Sequence, residues 1–157
     1  MNPSPDQVPE RLTAKTSWLL KELAVQAGRL SHEAFGAAGA KPYWYPLLAA
    51  LAEFGPSSQA ELGRRCRIDR SDVVAAVNAL VADGCVERTA DPVDRRRNVI
   101  TLTASGRERL GVLDERLAAV QRELLAPLDT SERTQLTDLL WRLLAERTPE
   151  RGDRPAP

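Results

Sequence analysis

The sequence predicts a mainly α fold with a small β wing, on three observations. Its hydrophobic residues are chiefly Ala, Leu and Val, with aromatics at only 4%, a palette of good helix formers. Long segments toward both ends place apolar residues at alternating spacings of three and four, the period of one helix face. Between them, two short β-prone runs flank a charged turn containing proline.

Taken in order, residues 1–10 are rich in Pro and charge and are expected to form a loose tail, as are residues 148–157. From Leu12, the positions Leu12, Thr16, Leu19, Leu23, Ala27, Leu30 and Ala34 share one helix face, and the helix should end near Gly36 or Gly39. Lys41-Pro42 restarts the chain with Pro in a first helical turn. A short apolar helix through Leu47, Leu48, Leu51 and Phe54 follows, until Gly55-Pro56 stops it.

Ser58-Gln59-Ala60-Glu61 is a capping box, in which the Ser hydroxyl and the Glu carboxylate satisfy each other's backbone N–H groups. It predicts a helix of about two turns ending at Cys66. Arg67-Ile68 makes a tight link, and Asp69 or Ser71 caps a second helix with Val73, Val77, Leu80 and Val81 inward, ended by Gly84. Two short helices joined by a tight turn make a helix-turn-helix. Val86–Thr89 and Asn98–Leu102 then read as a hairpin with 91–97 as its charged tip, so the unit is a winged helix-turn-helix.

Thr103-Ala104-Ser105-Gly106 opens a long helix with Leu110, Leu113, Leu117, Val120, Leu124 and Leu128 as its stripe. From Ala104 to about Leu125 it would extend roughly 33 Å. Thr130-Ser131-Glu132 caps a last helix whose stripe is Leu136, Leu139, Leu140, Leu143 and Leu144. A lobe of about fifty residues cannot cover such faces, so burial against a second copy is expected. The expected organisation is a helical dimerisation region at 11–40 and 104–147 around a winged helix-turn-helix lobe at 41–103.

The chain carries 22 Lys+Arg and 22 Asp+Glu, a net charge of zero, which excludes a generally basic nucleic-acid coat protein. The longest apolar run, Leu47 to Ala52, is far short of a membrane span. Met1 to Arg11 has no apolar signal core, so a cytoplasmic location without membrane association is expected. Cys66 and Cys85 are too few for a disulfide scaffold or a four-ligand zinc site. With His32 the only histidine and no phosphate-loop, dinucleotide or hydrolase motif, neither enzyme chemistry nor a cofactor is expected.

The order of elements and the residues Ser58-Gln59-Ala60-Glu61-Leu62, Asp69-Arg70-Ser71-Asp72-Val73 and Asp91-Pro92-Val93-Asp94-Arg95-Arg96-Arg97, with Ile100-Thr101-Leu102-Thr103 and Gly106, resemble the MarR family of transcription regulators. The resemblance covers roughly residues 12–147. It implies a homodimer with interleaved terminal helices and a double-stranded, pseudo-palindromic DNA operator. The recognition helix would enter the major groove and a wing arginine the minor groove. A ligand-responsive repressor is the function it suggests.

The residue chemistry agrees. Arg70, Ser71, Val74, Ala75 and Asn78 lie opposite the inward Val73 and Val77, where Asn can pair with adenine and the small apolar groups can touch thymine methyls. Members of the family often have Thr and Arg where this helix has Val74 and Ala75, which shifts weight to DNA shape. Ser58 belongs to the same surface, and Arg64, Arg65 and Arg67 can reach phosphates. Arg96 matches the family's minor-groove arginine, with Asp94 placed to hold it, while Arg95 and Arg97 suit phosphates.

The family also implies a pocket for a small aromatic or anionic ligand where the first two helices meet. Trp18, His32, Tyr43, Trp44 and Tyr45 are its candidate lining. Some members sense oxidants through a thiol, and Cys66 lies among Arg64, Arg65 and Arg67, which would lower its pKa if it were exposed. Thiol sensing is thus one alternative. A winged-helix protein–protein adaptor is another, disfavoured by the Arg-rich wing, which an adaptor has no need to keep.

Overall fold

The computed structural model describes residues 8–94 and 97–147, the side chains of 146 and 147 excepted. Its elements are α1 (Glu10–Thr13), α2 (Thr16–Ala37), α3 (Trp44–Phe54), β1 (Ser57–Ser58), α4 (Gln59–Cys66), α5 (Arg70–Ala82), β2 (Val86–Ala90), β3 (Asn98–Leu102), α6 (Ala104–Leu124) and α7 (Thr130–Arg147). Contacts group the chain into two compact units, residues up to 120 and residues from 121.

In the first unit the expected opening helix is split at Ala14–Lys15. The Thr13 hydroxyl donates to the Glu10 carbonyl, a local bond that competes with helix continuation, and Lys15 is extended. A second difference concerns the entry to α3. Tyr43, at φ 67°, occupies its N-cap, so Pro46 rather than Pro42 stands in the first turn. A proline is tolerated there because first-turn N–H groups have no intrahelical partner.

α4 and α5 form the helix-turn-helix. Arg67, in the left-handed region at φ 55°, ends α4, and its N–H donates to Gly63 O. Asp69 takes the N-cap position of α5 without a side-chain cap bond. Val73, Val77 and Leu80 are buried as expected, whereas Val81 is 37% exposed, because it stands one residue beyond the stripe that reaches the core.

The sheet has the order β1-β3-β2 and is antiparallel throughout. β2 and β3 are the expected hairpin. β1, with Ser57 opposite Ile100 and Ser58 opposite Val99, was not expected, since two serines carry no alternating pattern. Trp44, Leu47, Leu48 and Leu51 of α3 join Leu62, Val73, Val77, Leu80, Val86, Ile100 and Leu102 in one core, and Leu113 of α6 belongs to it. Each such buried leucine contributes on the order of 1.5–3 kcal/mol relative to exposure.

Thr103 fastens α6 to the end of the helix-turn-helix. Its hydroxyl donates to Gly84 O at 2.7 Å and accepts from Gly106 N at 3.0 Å, while its own N–H donates to Cys85 O. In the second unit Asp129, rather than Thr130 or Ser131, caps α7. Its carboxylate accepts from Glu132 N and its N–H donates to the Glu132 carboxylate, a reciprocal box. Leu139, Leu140, Leu143 and Leu144 are exposed along α7.

Candidate nucleic-acid interface

The capping box at the start of α4 has both of its reciprocal bonds. Glu61 N donates to Ser58 Oγ at 3.3 Å, and Ser58 N donates to Glu61 Oε2 at 2.7 Å. The Ser58 hydroxyl also donates to Glu61 Oε2, so this candidate contact is committed to the helix end. The backbone N–H of Ser58 holds the Glu61 carboxyl below its ordinary range, followed by the Ser58 hydroxyl and, more weakly, by Arg97 and Arg64. Glu61 is therefore an ionised anchor between two arginines.

Those arginines border a cleft of about 620 Å³ that also includes Ser58, Asp69, Arg70 and Asn98. It brings α4, the first turn of α5 and the exit of the wing together. Arg65 is placed differently: its guanidinium lies 4.2 Å above the Phe54 ring, a cation–π contact. Arg67 is exposed in the turn. On α5, Ser71, Val74, Ala75 and Asn78 are exposed in one stripe opposite Val73, Ala76, Val77 and Leu80.

The wing turn is closed by backbone bonds, Asp91 N to Arg97 O and Arg97 N to Asp94 O, both 2.9 Å. The Asp91 carboxylate accepts from Val93 N at 2.8 Å and Asp94 N at 3.2 Å, and these N–H groups lower its pKa in that order. Arg95 and Arg96 lie outside the described residues, and the proposed Asp94–Arg96 contact lies there with them. Arg97 and Asp94 are exposed.

Residues 57–103 contain eight arginines and no lysine. The candidate interface used seven of them. The eighth, Arg88 on β2, donates from Nη2 to Asn78 Oδ1 at 2.6 Å. Sequence reasoning missed it because a single arginine in a strand looks like a solvated position, and the register that sets it opposite Ile100 is fixed only in the fold.

The aromatic residues separate into two groups. His32, Phe35, Lys41, Pro42, Tyr43 and Tyr45 line a cavity of about 70 Å³. Phe35 and Tyr45 stack with centroids 5.3 Å apart, and the Tyr45 hydroxyl donates to Asp114 at 2.9 Å. Burial, then Asp114, pushes the Tyr45 phenol up, while the carboxylate of Asp72 on α5 does the same to Tyr43. Trp44 is not a wall of this cavity but a core residue, 2% exposed, since its place in the first turn of α3 directs it inward with Leu47 and Leu48. Trp18 lies half-buried on α2 and does not line the cavity.

Cys66 donates its S–H toward Pro46 O at 3.3 Å, and burial pushes its thiol up against the weaker opposite pull of Arg65. Cys85 is buried and is raised by burial and then by Asp83. The arginines around Cys66 thus fail to produce the lowered pKa that exposure would have allowed. Sequence reasoning also missed Arg109, which donates to Ala38 O at 2.8 Å, pairs with Asp83 at 3.4 Å and lies over the Trp44 ring at 5.5 Å. Among the described residues no group of His, Cys, Asp and Glu could hold a metal, and no helix is long and apolar enough to cross a membrane.

The model of the MarR family matches residues 39–97, the segment from just before α3 to the end of the wing turn. A crystal structure of a probable transcriptional regulator from Pseudomonas aeruginosa is 32% identical, with 85% of this chain and 99% of that one covered at a TM-score of 0.76. The chain belongs to the MarR family. The transcriptional repressor NicR of Pseudomonas putida is 32% identical over 97 residues, 62% of this chain and 61% of its own length. The chain spans 63% and 61% of two curated relatives that it matches. Bordetella bronchiseptica BpsR, in a structure described as showing how 6-hydroxynicotinic acid regulates its DNA binding, is 20% identical and shares the fold, with a TM-score of 0.75 over 87% of this chain and 97% of that one. The matched segment and the fold make the chain a winged helix-turn-helix member of the MarR family.

Proposed function

We propose that this MarR-family chain binds a pseudo-palindromic DNA operator as a homodimer and acts there as a cytoplasmic repressor. The observation that carries this reading is the cleft bordered by Arg64, Arg70 and Arg97, at the N-terminal end of an α5 that exposes Ser71, Val74, Ala75 and Asn78. A helix with small side chains outward can approach base edges closely, and arginines flanking it can hold the phosphates on either side. In this reading Arg64, Arg65, Arg67, Arg95 and Arg97 fix the register, and Arg96 with Asp94 serves the minor groove. Helices α2, α6 and α7 form the dimerisation region. The repressor assignment draws on NicR, which is named as one.

A small aromatic or anionic molecule is the proposed effector, supported by the regulation described for BpsR and by the His32, Tyr43 and Tyr45 wall. The cavity of about 70 Å³ is well below the ~300 Å³ at which drug-sized ligands are ordinarily held. Ligand entry therefore requires the wall to open, and Tyr43, beside Asp72, would carry that movement to α5. Tryptophan fluorescence titrated with a panel of aromatic acids tests this part, and a flat response to all of them removes those acids as effectors.

Gel-shift titration with DNA flanking the chain's own gene, at fixed salt, tests the main reading. Arg96→Ala is expected to weaken operator binding by about 1–3 kcal/mol while leaving the dimer intact. Unchanged affinity overturns the assignment of the wing.

A further inference from the structure

The contact between Asn78 and Arg88 has a consequence for which base pair α5 can select. Asn78 stands on the exposed stripe of α5, and Arg88, also exposed, reaches it from β2. A guanidinium offers only N–H donors. The atom of Asn78 that meets Arg88 Nη2 at 2.6 Å is accordingly the amide oxygen, and the amide nitrogen is turned away from the arginine. A hydrogen bond with one ionised partner is roughly twice as strong as a neutral one, so the amide has a preferred orientation before any DNA arrives.

Asparagine that reads adenine uses both ends of its amide, the oxygen accepting from N6–H and the nitrogen donating to N7. Oδ1 keeps a second lone pair, but with the Arg88 cation already donating to it at 2.6 Å it is a poorer acceptor for N6–H. The adenine pair is thereby weakened relative to donation by the amide nitrogen. We propose that Asn78 and Arg88 form a donor-rich reading unit that selects guanine, whose major-groove edge presents the acceptors N7 and O6, over adenine. Arg88 acts here as a positioning residue, and its own donors suit the same guanine edge. The inference rests on α5 being the groove-facing helix, and it adds which base that helix prefers.

Selection from a randomised duplex pool with the full-length protein tests it, comparing wild type, Asn78→Ala, Arg88→Ala and Arg88→Lys. Wild type is expected to enrich guanine at one position per half-site, and Asn78→Ala to lose that preference. Arg88→Ala removes the cationic donor from Oδ1 and should turn the same position toward adenine by about tenfold, with the other positions unchanged. Arg88→Lys keeps a donor for Oδ1 and should keep guanine. Both residues are exposed, and thermal melts verify that each variant folds as wild type does. Uniform weakening by Arg88→Ala with every preference retained would make Arg88 a phosphate contact and overturn the inference alone, as would a guanine preference that survives Asn78→Ala. A wild-type protein that enriches no sequence overturns groove reading by α5 and this inference together.

Discussion

Gly106 occupies the first turn of α6, where alanine would ordinarily stabilise a helix by about 1 kcal/mol. Here a Cβ would lie 2.0 Å from the Cys85 carbonyl oxygen and 2.6 Å from Leu102 Cδ1. The first neighbour is backbone, in the link between α5 and β2 that Thr103 also ties down, so it cannot move aside cheaply. Gly106→Ala is expected to destabilise the protein by about 2 kcal/mol or more, the overpacking cost exceeding the propensity gain, and urea unfolding monitored by circular dichroism checks it. A midpoint equal to wild type would show that the link yields. The sequence marked Gly106 as part of the wing signature but could not say why glycine is required, because the constraint comes from a residue twenty-one positions earlier. Arg88 and Arg109 were illegible for the same reason: each acts through a partner distant in the chain, Asn78 for one and Ala38 and Asp83 for the other. Ser58 and Glu61 were legible because their chemistry is complete within four residues.

At the scale of elements, local signals located nearly every helix and strand of the lobe, and the failures share a cause. The break at Ala14–Lys15 and the cap at Asp129 depend on which of several neighbouring polar groups captures a backbone donor or acceptor, a competition that spacing alone does not decide. β1 exists only because β3 is there to pair with it. The α4 cap, in contrast, permits a pH prediction. Glu61 has a lowered pKa in the folded chain, against 4.5 as its ordinary value. Its contribution is therefore fully present above about pH 4.5 and is lost as the pH falls through the folded value. Ser58→Ala should cost about 1 kcal/mol at pH 7. The gap to wild type should narrow in the acid range, where a protonated Glu61 no longer rewards the wild-type cap. Paired thermal melts at pH 7 and pH 3 measure this, and a gap that stays constant would show that the Glu61 charge adds nothing to the cap.

Across the whole molecule, a net charge of zero means that affinity for DNA cannot come from a general positive field. In the proposed reading it comes from the arginines of α4, α5 and the wing, and a single lobe carries few of them. In the proposed homodimer, two lobes on two half-sites would convert the second contact into an intramolecular one, so occupancy of the operator is expected to depend on the dimer. The exposed Leu139, Leu140, Leu143 and Leu144 of α7, beside a Trp141 that is 66% exposed, form an apolar face suited to a second copy. An aspartate within such a buried seam would leave a charge without water or a partner. Leu143→Asp is therefore expected to raise the dimer dissociation constant by about thirtyfold or more, equivalent to ~2 kcal/mol, as measured by sedimentation. The same variant should lose operator binding at protein concentrations where wild type is bound, and should recover part of it at concentrations that restore the dimer. On a log–log plot, the salt dependence of the recovered complex should have the wild-type slope, because that slope counts phosphates contacted per dimer and the proposed contacts do not include α7. A monomeric Leu143→Asp protein that binds the operator as tightly as wild type would refute the dependence on dimerisation, and a shallower slope in the recovered dimer would place α7 at the DNA.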